Sequence, residues 1–279
     1  RKEDVSFPYA TLINEKPLFA DNKTDKRAPK YSPDGKEIAY IDERCKLMVL
    51  NVKSGKTRQI TDGNKWYSTT GKFNYDWSPD GKWFVISYID HKNYPHSDVG
   101  IVSSEGGKPI INLTNSGYGE SSPQWVLNGN AILYKSPVYG RKGHNTSGST
   151  QQDAMLIFLN KKAYDEFNMS KEERELQKQI DKLSGEENTD SKTLVIDLDG
   201  IDDRIVRLTT SSSEMGSLTL SKDGNTLYYI AKYQSGFKLW KKKKGVVPIA
   251  IGSAKGDLCW GGNKKSNLFV LGNNFYKLS

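Results

Sequence analysis

One ten-residue stretch, Tyr31-Ser32-Pro33-Asp34-Gly35-Lys36-Glu37-Ile38-Ala39-Tyr40, limits what this chain can fold into, because it recurs. A near copy is Trp77-Ser78-Pro79-Asp80-Gly81-Lys82-Trp83-Phe84-Val85-Ile86. Looser copies begin at Trp125, with Asn128-Gly129 at the centre, and at Leu220, with Asp223-Gly224. Each is an apolar or aromatic residue, a polar turn on Asp-Gly or Asn-Gly, and a β-rich run. Glycine takes the positive φ that a tight turn between twisted strands demands, so each copy predicts a hairpin. The turn glycines lie 46, 48 and 95 residues apart. The first two intervals match the period of about 40–50 residues expected of a four-stranded propeller blade.

Each repeat supplies the other strands a blade needs. After the first turn come residues 38–41, 47–52 and 58–61; after the second come 83–89, 99–102 and 109–114. Continuous apolar runs suit strands covered on both faces. An apolar-Thr ending closes three units, at Ile60-Thr61, Leu113-Thr114 and Leu208-Thr209. In the third unit two runs fit the third strand, residues 154–159 and 193–198. The second of these pairs naturally with 204–209 across the turn at 199–203. The long interval therefore reads as one blade carrying an insertion.

The insertion, about residues 160–190, is the helical part of the sequence. Ser170 and Glu173 form a capping box, and Leu176, Ile180 and Leu183 recur at helical spacing before Gly185. The single apolar stripe is expected to lie on the chain's own propeller or on a partner. A fourth unit spans residues 218–251, and a fifth starts near Leu258 and stops at residues 275–278, where an outer strand should follow. At the other end, residues 10–13 and 17–19 read as strands and 21–27 as a polar loop. The expectation is one all-β domain over residues 1–279, a β-propeller of four-stranded blades with about five represented and the terminal ones incomplete.

Composition narrows the function. No apolar run approaches the roughly 18 residues that cross a bilayer, and mean hydropathy is −0.68. The net charge of +8 raises nucleic acid as a partner. The lysines, however, are scattered through turns, and the run from Lys241 to Lys244 has no interleaved aromatics. Cys45 and Cys259 have no CxxC partner and read as small buried residues. The chain opens Arg1-Lys2-Glu3-Asp4, which reads as a mature fragment or an excised piece.

Catalytic and metal-binding signals are weak. His91 and His96 sit near Asp90 and Asp98, but no helical or hairpin geometry converges them on a metal. His144 lies beside serines, yet a nucleophile needs a base and an orienting group within reach, and the strand–elbow–helix context is missing. No residue is assigned to catalysis, to a metal or to a cofactor. The long rim loops remain as candidate peptide contacts: Trp66 and Tyr67, then His91, Tyr94 and His96, then Tyr139, Arg141 and His144.

The Ser-Pro-Asp-Gly-Lys turns resemble the WD-like repeats of TolB-type, dipeptidyl-peptidase-type and tricorn-like propellers. The third unit carries a narrower resemblance. Residues 153–159, Ala163-Tyr164-Asp165-Glu166-Phe167, Ser170-Lys171-Glu172-Glu173 and residues 196–204 through Leu208-Thr209 are similar to bacterial tricorn-like serine peptidases. In that family a propeller precedes a PDZ-type domain and a tail-specific type of protease domain. The resemblance implies a non-catalytic module, periplasmic or otherwise extracytoplasmic, that binds or gates peptide or unfolded-protein substrates. The protease and PDZ-type domains of the parent chain would be its partners. A stand-alone TolB-like interaction propeller is the alternative; a propeller glycosidase or lyase would need converging acidic or histidine residues that this sequence lacks.

Overall fold

The computed structural model describes residues 17–20, 23–66, 73–90, 92, 94–141, 151–184, 194–234, 236–260, 268–272 and 275–278. Antiparallel strands follow one another in the order of the repeat. The first unit is β1 (Lys26–Tyr31), β2 (Glu37–Asp42), β3 (Lys46–Asn51) and β4 (Thr57–Gln59). The second is β5 (Tyr75–Trp77), β6 (Trp83–Tyr88), β7 (Asp98–Ser103) and β8 (Ile111–Asn112). The third is β9 (Ser121–Val126), β10 (Ala131–Ser136), β11 (Gln151–Phe158) and β12 (Ile205–Arg207). The fourth is β13 (Ser213–Leu220), β14 (Thr226–Lys232), β15 (Lys238–Lys243) and β16 (Ile249–Ser253). Three further strands pair in sequence, β17 (Asp257–Trp260), β18 (Leu268–Leu271) and β19 (Phe275–Leu278).

The core lies between these sheets. Phe84 and Ile86 of β6 pack toward Ala39, Ile41, Leu47 and Val49 of the first unit. The intervening Val85 joins Ile101, Ile132, Tyr134, Met155 and Ile157 at the next junction. Leu133, Leu156 and Phe158 turn the other way, onto Leu218, Leu227 and Tyr229. Successive side chains of a strand point to opposite faces, so each central strand serves two junctions and reads as continuously apolar. Full burial of one such side chain stabilises by about 1.5–3 kcal/mol.

The repeated residues have repeated jobs. Ser32 Oγ donates to Asp34 Oδ1 (2.7 Å) and accepts from the Glu37 amide (3.0 Å). Ser78 and Ser221 repeat both bonds, with Asp80 and Trp83 and with Asp223 and Thr226. Gly81 sits at φ +71°, which an L side chain reaches only with strain. The third copy lacks the Ser/Asp pair, and there a 3-10 turn puts Leu127 and Asn128 at positive φ. The closing threonines Thr61, Thr114 and Thr209 accept from the third-strand amides of Leu47, Val99 and Ala154 at 2.9–3.2 Å.

The pre-turn tryptophans bind units together. Trp77 Nε1 donates to the Lys30 carbonyl (3.2 Å), Trp125 Nε1 to the Asp76 carbonyl (3.3 Å) and Trp260 Nε1 to the Leu220 carbonyl (3.1 Å). Each indole reaches back to the inner strand of the preceding unit. The fourth unit has Leu220 at this place, and contact there runs forward instead. Gln124 Nε2 donates to the Leu218 carbonyl (2.8 Å), while Gln151 and Gln152 of β11 pair with Glu214 and Ser213 of β13.

Four expectations change. Residues 17–19 form a bend rather than a strand, and β1 begins within the expected loop, at Lys26. Residues 194–198 form no strand; β12 pairs instead with β11, because the longer apolar run of residues 154–158 takes the third place. The insertion is two helices, α1 (Lys161–Asn168) and α2 (Lys171–Ser184). It is α1 that lies on the propeller, through Ala163, Tyr164 and Phe167, whereas Leu176, Ile180 and Leu183 of α2 are exposed. The expected strand at 10–13 lies outside the described residues.

Candidate functional site

Antiparallel order gives the structure two ends. The Asp-Gly turns, the third-to-fourth-strand turns and the helical insertion share one, here the turn end. The second-to-third-strand loops and the connections between units share the other, the loop end. At the loop end the Ile89 amide donates to the Lys65 carbonyl (2.7 Å) and the Glu120 amide to the Ser97 carbonyl (2.8 Å). These bonds tie loops of neighbouring units together.

Two buried carboxylates organise this end. Glu120 is 1% exposed. Its carboxylate accepts from Ser116 Oγ and from Ser136 Oγ (3.2 Å), and its carbonyl from Ser87 Oγ (3.0 Å) and Ser97 Oγ (2.6 Å). Burial pushes its carboxyl up to about 7; the charge of Asp98 adds to this and the two serine hydroxyls oppose it. Burial, with Glu120 beside it, likewise raises the Tyr134 phenol. Asp153, fully buried, meets a cation: Arg207 Nη2 lies 2.9 Å away, and Thr209 Oγ1 (2.6 Å) and Ser212 Oγ (2.7 Å) also donate to it. The two sites differ chemically. Asp153 pairs with a guanidinium, while Glu120 sits among hydroxyls and burial raises its carboxyl.

Five of the eight sequence-derived contact residues are described. Tyr94 is 59% exposed and Tyr139 55% exposed. The Arg207 guanidinium stacks over the Tyr139 ring at 4.6 Å, so this aromatic is anchored to Asp153 through the arginine. Arg141 is exposed, and its amide donates to Gln151 Oε1 (3.3 Å). His96 is half-buried next to Ser97, on the loop held by Glu120. Trp66 is buried, edge-on to Phe73 at 5.7 Å, and packs within the junction of the first two units. Tyr67, His91 and His144 lie outside the described residues.

The structure thus brings Tyr94, His96, Tyr139 and Arg141 to one end. Glu120, Asp153 and Arg207 were missed as site residues. The available signal was an acidic residue at the start of a third strand, Asp98 or Asp153, in register with a closing Thr. Among the described residues no group of three His, Cys, Asp or Glu side chains could hold a metal ion.

The turn end offers a groove of about 310 Å³ between the insertion and the propeller, lined by Leu127, Phe167, Met169, Arg174, Asp223 and Asn225 among others. Gly224 and Gly129 fit closely here: a Cβ on Gly129 would meet Leu194 at 2.3 Å, and one on Gly224 would meet Leu127 at 2.7 Å. Lys244 closes the side, its ammonium over the Phe167 ring at 4.3 Å.

No family model matches the chain. It is 28% identical over 135 residues to the uncharacterized peptidase YuxL of Bacillus subtilis, a match covering 45% of this chain and 19% of that protein. Similar solved structures include a putative TolB from Agrobacterium tumefaciens (TM-score 0.54, 15% identity), covering 89% of this chain and 70% of that one. TolB from Acinetobacter baumannii matches with a TM-score of 0.51 and 14% identity, covering 89% and 52%. The tricorn protease matches with a TM-score of 0.61 and 12% identity, covering 93% of this chain and 26% of that one. The chain therefore spans under a fifth of the curated relative. Among the described residues no helix is long and apolar enough to cross a membrane. Sheet order, the cores between sheets and these likenesses agree: the chain has a β-propeller fold similar to those of TolB and the tricorn protease.

Proposed function

We propose that this chain is a non-catalytic propeller module of a larger, extracytoplasmic tricorn-like serine peptidase, binding or gating peptides for a protease domain carried elsewhere in the same protein. The observation that carries this reading is the loop end. Exposed tyrosines there stand on a hydrogen-bonded base, Tyr139 through Arg207 and Asp153, and the loop of Tyr94 through Ser97 and Glu120. Tyrosine gives large, rigid contact area at low entropic cost, which suits the capture of an extended chain with varied side chains. The similarity to YuxL and to the tricorn protease supports a peptidase as the parent. The coverage of TolB supports the second reading, a stand-alone interaction propeller; a protease region in the downstream coding sequence separates the two.

The test uses the purified chain with fluorescein-labelled unfolded casein. Binding without turnover is expected, weakened about fivefold or more by Tyr94→Ala combined with Tyr139→Ala. Turnover by the isolated chain, or binding that ignores the double substitution, overturns the reading.

A further inference from the structure

The outer strands of the four complete units can be compared directly. β4, β8 and β12 are two or three residues long, and each is at least partly covered. β16 has five residues, all exposed, and among the described residues nothing pairs with its outer edge. It carries two large apolar side chains, Ile249 65% and Ile251 47% exposed. The preceding turn extends the patch through Val246 and Val247, the latter 76% exposed. Sheet proteins ordinarily blunt their edges with short strands, charge or cover, and three units do so. The fourth leaves a template of backbone donors and acceptors flanked by isoleucines.

Charge selects what could occupy it. From Phe237 to Gly256 the chain carries Lys238, Lys241, Lys242, Lys243, Lys244 and Lys255 and no acidic residue. Lys241 lies directly opposite Ile249 in the register, and Lys238 opposite Ser253. Among the described residues none of Lys241 to Lys244 forms an ion pair, so positive charge gathers at the head of this edge. A second copy of the chain would bring the same cations against these, which disfavours self-pairing.

We infer that the free edge of β16 is a docking site for an extended acidic-apolar peptide, which adds to the fourth unit as a further antiparallel or parallel strand. Main-chain hydrogen bonds supply the affinity, Ile249 and Ile251 receive the apolar side chains, and the lysines read the acidic ones. This surface lies on the outer rim, apart from the loop-end tyrosines.

The experiment uses two labelled probes on the purified chain, acetyl-(Glu-Val)4-amide and acetyl-(Lys-Val)4-amide. Binding is read by anisotropy, and backbone protection by hydrogen exchange. The acidic probe is expected to bind at least about tenfold more tightly, with affinity falling as salt rises. It should protect amides of residues 249–253 from exchange. Ile249→Thr with Ile251→Thr keeps strand propensity and should weaken binding about fivefold or more, as should Lys238→Glu with Lys243→Glu. Equal binding of the two probes, no binding, or binding without protection at β16 overturns the inference. So does concentration-dependent self-association that the threonine variant abolishes, because the occupant would then be a second copy. Both pairs are exposed, and an unchanged melting transition verifies the fold. Tyr94→Ala with Tyr139→Ala should leave this binding intact, which separates it from the loop-end proposal.

Discussion

The two ends of the propeller are made by the same strands and follow different rules. At the turn end the chain reverses through copies of one device, a Ser–Asp pair around a glycine, and its carboxylates Asp34 and Asp223 are exposed. Asp34, held down to about 2 by the Ser32 hydroxyl and neighbouring amides, faces water. At the loop end no two connections are alike. Two buried carboxylates, Glu120 and Asp153, stand among exposed ones such as Glu43 and Asp62, and the Tyr139 ring rests on the arginine that Asp153 holds. The turn end spends its polar groups on defining hairpins. The loop end invests them in holding irregular backbone, which is where binding surfaces are expected on a rigid scaffold.

Substitutions can break this contrast. The largest effect should come from the shared scaffold: Trp77→Ala removes a buried ring and a junction bond and is expected to cost about 3–5 kcal/mol in urea denaturation. Trp77→Phe, which loses chiefly the indole bond, should cost about 1 kcal/mol. Next is the buried pair at the loop end. Asp153→Ala strands a partly exposed Arg207 and should cost about 2–4 kcal/mol, whereas Glu105→Gln, breaking an exposed turn-end pair, should stay within about 0.5 kcal/mol. If both pairs cost the same, the two ends do not differ as described.

Glu120 sharpens the comparison through pH. Its folded carboxyl is raised from 4.5 to about 7, so the folded state keeps a proton that the unfolded chain releases. That contribution is fully present below about 4.5 and is lost as pH rises toward and past 7. Urea midpoints should therefore fall between pH 5 and 8 in the wild type, and Glu120→Gln should flatten this component. A parallel slope in both proteins would remove Glu120 as its source. The smallest expected change is at a turn: Gly81→Ala forces a Cβ into positive φ, with only ordinary contact to Pro33, and should cost about 1 kcal/mol.

The repeat made most of the fold legible, since Asp34-Gly35 and Asp80-Gly81 fix hairpins by local chemistry and the apolar runs beside them mark two-sided burial. Local rules also placed the capping box: the Ser170 hydroxyl accepts from the Glu173 amide at 3.1 Å and the Glu173 carboxylate from the Ser170 amide at 2.8 Å. What local rules could not decide was competition for a place. Residues 193–198 also read as a strand, but Asp197 interrupts that run, and the unbroken apolar run 154–159 takes the place beside β10. Likewise α2 looks amphipathic in isolation, but the sequence does not say that α1 has already covered the propeller face. At the site, exposed aromatics could be named from loop length, whereas Glu120 and Asp153 depend on partners from 4 to 59 residues away and no spacing rule gathers them.

The backward reach of the tryptophans gives the assembly a direction. Trp77 and Trp125 each find their acceptor on a strand made about 47 to 49 residues earlier, never on one still to come. A chain leaving the ribosome amino terminus first therefore meets each partner already in place. The first junctions can close as soon as the next inner strand is made, whereas the junction of the third and fourth units waits for β13.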